Sequence, residues 1–225
     1  MLHELNRPYK FGGGALVASG ALFVGLAFLN LLVGPPPSTG AEILLWRDSH
    51  VFVLSFISEL FFFAAILLVP SMVALYQSLI DIDRTKAAAG CGIIASTIPV
   101  MAVMLIVHGR LVYPIYGMRI DAPEDAALVV MIFYGGLHAI YLLLAVATIV
   151  LSLAMKRGIY AKWVVYFGFV TAALDIVGSY PWAIGPVLTF VCELSLAGWF
   201  VAVGSQLFRI TAQQVAPSDA KIRRG

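Results

Sequence analysis

The chain has 225 residues, of which 61% are hydrophobic and only 12% carry a formal charge. A soluble domain carries roughly 25% charged residues, so this composition belongs to a protein embedded in a membrane. The formal net charge is only +2 and the basic residues gather in short connections, so nothing resembles a nucleic-acid-binding surface.

In chain order, six stretches are long and apolar enough to cross roughly 30 Å of hydrocarbon. They are residues 11–34, 51–79, 88–112, 127–155, 160–180 and 184–208. None alternates with period two, so helices are expected and a β-barrel is not. What remains is short connections and two tails, which makes residues 1–225 one all-α domain, a six-helix transmembrane bundle. The first stretch follows Arg7 and Lys10 as a signal peptide would. Its apolar run is too long for a signal h-region and ends in Gly34-Pro35-Pro36-Pro37 without a small-residue cleavage pattern, so it reads as the first retained span.

Residues 34–50 read as an irregular, Pro-rich outer connection with Trp46 at interfacial depth, and residues 113–126 as a second outer connection. Pro70 and Pro99 fall inside spans two and three, where proline removes a backbone donor and kinks a helix. Gly12, Gly13, Gly14, Gly20, Gly25, Gly135 and Gly136 suit close helix approach. A short echo links Phe56-Ile57-Ser58-Glu59-Leu60 to Phe190-Val191-Cys192-Glu193-Leu194, and Leu29-Asn30-Leu31 to Leu174-Asp175-Ile176. It raises a relation between the first and third helical hairpins.

Alternate connections carry Arg7 and Lys10, Arg84 and Lys86, Lys156, Arg157 and Lys162, then Arg209, Lys221, Arg223 and Arg224. The opposite side carries only Arg47, Arg110 and Arg119. The positive-inside rule therefore places both termini in the cytoplasm. Cys91 and Cys192 fall in opposite leaflets and should not form a disulfide.

Seven polar side chains sit inside the spans, all in the outer half: Asn30, Glu59, His108, Arg110, His138, Asp175 and Glu193. Charge in hydrocarbon is costly, so such residues usually face the bundle interior and mark a site. Counting at about 1.5 Å per residue from each outer end puts Asn30 and His108 near 6 Å, Glu193 near 13 Å and His138 near the midplane. Ser55, Thr171 and Thr189 each stand four residues before an acid, and Tyr134 four before His138. These hydroxyls can serve the buried acids or simply bond their own helix backbone.

Two uses are open. In one, Arg110 or His108 pairs with Glu59, Asp175 or Glu193 and locks helices together. In the other, the cluster forms a pocket toward the outer leaflet that binds or processes a small or lipophilic substrate. Glu59, His138, Asp175 and Glu193 would then be the catalytic acid–base groups, with His108, Arg110, Tyr134 and Tyr141 binding substrate. Asn30 reads as a helix-end residue. No metal site is assigned, because no HxxxH, HxxE or ExxH spacing occurs within a span, and the cofactor is left open. A proton- or ion-coupled transporter and a non-catalytic membrane subunit remain as alternatives. Lipid is the one partner that the composition requires, and oligomeric state is not legible.

The runs Phe133-Tyr134-Gly135-Gly136-Leu137-His138, Lys156-Arg157-Gly158-Ile159-Tyr160, Ala173-Leu174-Asp175 and Cys192-Glu193-Leu194-Ser195-Leu196-Ala197-Gly198-Trp199 carry a family resemblance. Together they resemble the six-span bacterial membrane family known only as a domain of unknown function (4386 type). Ile57-Ser58-Glu59-Leu60 is similar to its second-span element, with Glu in place of Asp. The resemblance covers residues 130–207 well and the rest thinly. The chain departs from the family pattern at Ala161, where the family has Pro, and at Cys192, where it has Gly. The resemblance implies six helices, a bacterial cell membrane and importance for Glu59, His138, Asp175 and Glu193, but no activity.

Overall fold

The computed structural model describes residues 7–210. It holds six helices: α1 Arg7–Val33, α2 Gly40–Val112, α3 Pro123–Met155, α4 Lys162–Gly178, α5 Pro181–Ile184 and α6 Pro186–Arg209. Four of them, α1, α2, α3 and α6, are long and apolar enough to cross a membrane. No strand occurs among the described residues beyond a single bridge between Ile115 and Met118. The protein is therefore an all-α bundle with membrane-spanning helices.

The 73-residue α2 is not one rod. Its backbone leaves helical angles at His50 (φ −126, ψ 17) and Asp83 (φ −154, ψ 88), giving segments 40–49, 51–82 and 84–112. Asp83 is an N-cap: its carboxylate accepts from the Lys86 backbone N–H at 3.1 Å and also pairs with the Lys86 ammonium. These contacts satisfy a free amide of the 84–112 segment and hold the Asp83 carboxyl below its ordinary pKa. The chain doubles back there. Ser58 and His108, equally far from Asp83 in sequence, meet at 2.6 Å.

Residues 40–49 are helical, which corrects the expectation of an irregular connection. Thr39 accepts from the Glu42 N–H at 3.4 Å, an N-cap, and its hydroxyl donates to the Glu42 carboxylate at 2.8 Å. Helix formation then turns Ile43 and Arg47, one turn apart, onto one buried face. Pro70 and Pro99 lie inside α2 without breaking it: the backbone leaves helical angles only at His50 and Asp83.

The helices pack as a closed ring in the order α1, 51–82, 84–112, α3, α4, α6 and back to α1. The tightest seam is α1 on α6. A Cβ on Gly13 would fall 2.5 Å from the Phe208 backbone nitrogen, and one on Gly204 would fall 2.8 Å from the Gly13 carbonyl. Hydrocarbon supplies no drive to associate apolar helices, so such close backbone contact is what holds them. Gly12, Gly20 and Gly136 are packed as expected, whereas Gly14, Gly25 and Gly135 touch nothing closely.

Arg7, Lys10, Arg84, Lys86, Lys156, Arg157, Lys162 and Arg209 lie at one end, which contacts such as Ser78 to Tyr160 (2.6 Å) tie together. Lys221, Arg223 and Arg224 lie outside the described residues. That half is solid, filled by Leu68, Leu75, Leu79, Ile94, Leu151, Trp199 and Phe200, each 1% exposed or less. Large apolar side chains such as Phe28, Phe63, Ile106 and Val170 are more than half exposed around the ring. An apolar surface this extensive is what a lipid-facing wall requires. Both cysteines are free and buried.

Candidate functional site

The other half of the ring is hollow. A cavity of about 750 Å³ lies there, inside the 300–1,000 Å³ range of small-molecule sites. Met101, Ile140, Leu144 and Leu196 form its floor, and Pro35, Pro36, Pro37 and Trp46 cover its outer end. Its walls are mostly apolar, with Asn30, Ser58, His108, Tyr134, Tyr141, Thr189 and Glu193 contributing polar groups. Among the described residues Glu193 is its one carboxylate, and no Lys or Arg lines it.

The geometry of these groups is specific. Glu193 projects from α6, and its Oε1 accepts from the Asn30 side-chain amide on α1 at 3.1 Å. Its Oε2 is buried without a partner. His108 is 7% exposed, with Nδ1 at 2.6 Å from the Ser58 hydroxyl and its ring 4.7 Å from that of Phe133. Tyr141 stands within electrostatic reach of both Glu193 and Asp175.

The cover is pinned by charge. The Arg47 guanidinium, 3% exposed, donates to the Ile120 carbonyl at 2.5 Å and to Asp48 at 2.9 Å, with Asp121 at 4.0 Å. Arg119 reaches the same Asp48 oxygen at 2.9 Å. These contacts strap the 40–49 helix to the 113–122 loop, and the Arg47 hydrogen bond is the largest cause holding the Asp48 carboxyl below its ordinary pKa. Trp46, next to the strap, donates to the Val33 carbonyl at 3.3 Å.

Four of the eight residues singled out in the sequence meet at the cavity: Glu193, His108, Tyr134 and Tyr141. The other four do not line it. Glu59 is exposed on the outside of the ring, with the Tyr113 hydroxyl 3.0 Å from its carboxylate. Arg110 forms no ion pair among the described residues, so it is not the counter-charge of the acids. His138 donates from Nδ1 to the Ser179 carbonyl at 2.8 Å and packs on Tyr180 and Trp182, with ring centres 4.8 and 5.8 Å away. It is level with the end of α4, and α3 runs several turns beyond that end. Asp175 is fully buried between α4 and its neighbours, and neither carboxylate oxygen has a partner.

The hydroxyls one turn before the acids serve other ends. Ser55 and Thr189 bond their own helix carbonyls at Val51 and Gly185. Thr171 crosses to Ser195 on α6 at 2.9 Å. Below Asp175, Thr148 Oγ1, Ser152 Oγ and Trp199 Nε1 are also buried without partners.

Three contributors escaped the sequence reading. Asn30 is a cavity residue and not merely a helix end, Ser58 positions His108, and Arg47 holds the cover. Arg47 left a usable signal, because a charge one turn from Ile43 on an apolar face is either buried or misplaced. No group of three or more His, Cys, Asp or Glu residues that could hold a metal occurs among the described residues. No protein-family model matches the chain, and comparison with curated proteins and with solved structures gives no match either.

Proposed function

We propose that this is a multi-pass cell-membrane protein whose hollow outer half binds a small lipophilic molecule. In this reading α1, the 51–82 and 84–112 segments, α3, α4 and α6 are six spans, with the basic end in the cytoplasm. The resemblance to the six-span bacterial family belongs to the same proposal and rests on the residue runs that carry it. The observation that carries the function is Glu193: a carboxylate with one unpartnered buried oxygen, in the wall of a mostly apolar cavity. Leaving such an oxygen unpaired costs about 1–3 kcal/mol or more for a charged group, a cost that a donor on a bound ligand removes once the side chain turns Oε2 into the cavity.

Glu193 and His108 are the pair placed to bind a polar head or to exchange protons with it, while Tyr134 and Tyr141 shape the wall. Glu59, His138 and Asp175 take supporting places outside the cavity. The test is to extract the protein directly into lipid-polymer discs and identify small molecules that co-purify. Val130→Trp, which fills the cavity from α3, should keep the fold and lose the bound molecule. Equal recovery from both proteins would refute the reading.

A second reading, a proton-coupled transporter, is favoured by the unpartnered buried groups at Asp175, Thr148, Ser152 and Trp199, which continue below the cavity. Solute uptake into proteoliposomes driven by a pH gradient and abolished by Asp175→Asn would support it. Uptake indifferent to the gradient would sink it.

A further inference from the structure

The ring has one weak side, and it follows from helix length. At about 1.5 Å per residue, the 17 residues of α4 span about 25 Å, whereas the 33 residues of α3 span about 50 Å. His138, in the middle of α3, is already level with Ser179 at the end of α4. The outer turns of α3 therefore have no α4 beside them, and α3 makes no extensive packing with α5 or α6 there. Met131 and Gly135 on α3 face Trp182 and Pro186 across this gap, and all four line the cavity and are exposed. A Cβ built on Gly135 meets nothing within 4 Å, although one on its neighbour Gly136 would collide with Met104. His138, Tyr180 and Trp182 form the lower lip of the opening.

The chemistry inside is equally one-sided. A molecule passing this opening meets one carboxylate, Glu193, with Oε1 held by Asn30 and Oε2 unpartnered. Among the described residues no Lys or Arg lines the cavity, and its one imidazole, His108, is engaged at Nδ1 by the Ser58 hydroxyl, so no fixed positive charge there compensates an anionic head. A buried carboxylate is stabilised by a counter-charge that also donates hydrogen bonds, and an ammonium group supplies both. An anion would instead set like charges together without a counter-ion.

Resting on the proposed binding function, we propose that the ligand is a lipophilic amine, headed by Glu193 and admitted sideways from the bilayer beside Gly135. The cavity accepts the alkyl body, the carboxylate selects the head, and the gap between α3 and α6 admits the molecule without displacing the strapped cover.

The test uses three photoreactive C16 probes in nanodiscs, an amine, a carboxylic acid and an alcohol, each with a diazirine in the chain. Crosslinked residues are mapped by mass spectrometry. The amine is expected to label cavity residues and the acid to label them at least roughly tenfold less, given the strength of hydrogen bonds to charged groups. Glu193→Gln should lower amine labelling roughly tenfold, to about the level of the alcohol. Gly135→Phe, in open space and thus compatible with the fold, should slow amine labelling. Acid and alcohol labelling as strong as the amine would overturn the amine assignment while leaving the binding function intact. Unchanged labelling rates in Gly135→Phe would overturn the lateral route. Absence of cavity labelling by all three would overturn the binding function itself.

Discussion

The two halves of this bundle are built from the same helices yet differ in kind. The basic half is filled to its axis by Leu75, Leu79, Leu151, Trp199 and Phe200. The other half encloses about 750 Å³ and gathers polar groups around it. The difference comes from α4, which stops near Gly178 while its neighbours continue, and from the cover of residues 34–49. A short helix in a ring of long ones opens the ring on one side and at one level. Close packing stabilises the solid half, and its absence in the other half leaves room for a ligand.

This contrast can be broken by mutation. Phe200→Ala removes a side chain that is 0% exposed in the solid half and should cost about 3–5 kcal/mol in a denaturant titration in micelles. Leu105→Ala, in the cavity wall, should cost less than about 2 kcal/mol, because part of its surface already faces space. Equal costs would mean that the hollow half is closed.

The glycines give a second pair. Gly13→Ala must push the α1–α6 seam apart and should lose about 1–3 kcal/mol, whereas Gly135→Ala should be neutral or gain up to about 1 kcal/mol from helix propensity. Thermal unfolding in one detergent decides between them.

The cover should respond more gently. Arg47→Ala removes a buried guanidinium whose carboxylate partners are exposed, so about 1–2 kcal/mol is expected, seen as faster amide exchange across residues 40–49. The Asp48 carboxyl is held below its ordinary pKa, so its contribution is present above the unfolded value near about 3.9. It is lost as pH falls through the lower folded value. The protection of residues 40–49 against exchange, taken relative to the unstructured rate at each pH, should therefore be flat from pH 8 to 5 and fall only below about pH 4. A loss of protection near pH 6 would assign the strap to another group.

Helix positions were legible because continuous apolar runs admit few other structures in hydrocarbon. The starts of α1 and α3, the turn at Asp83 and the ends of α4 and α6 fall within a few residues of expectation. The 40–49 helix was hidden because prolines and charges read as a loop, although Thr39 and Glu42 spelled out its cap. The polar residues were legible as a set but not as a site. Depth counting assumes that every span starts at the same surface, whereas α3 runs several turns past α4, so that His138 stands level with the end of α4. Rotation about each helix axis was the larger gap. An all-round apolar helix offers no amphipathic face to say that Glu59 points outward and Glu193 inward.

The most direct test of the hollow outer half is an experimental density map of the protein in lipid nanodiscs, never exposed to detergent. Elongated density between α3 and α6 reaching the Glu193 carboxylate, with the helices apart at Gly135, is the result this account predicts. Helices α3 and α6 closed against each other, with Glu193 paired to a protein cation, would contradict it.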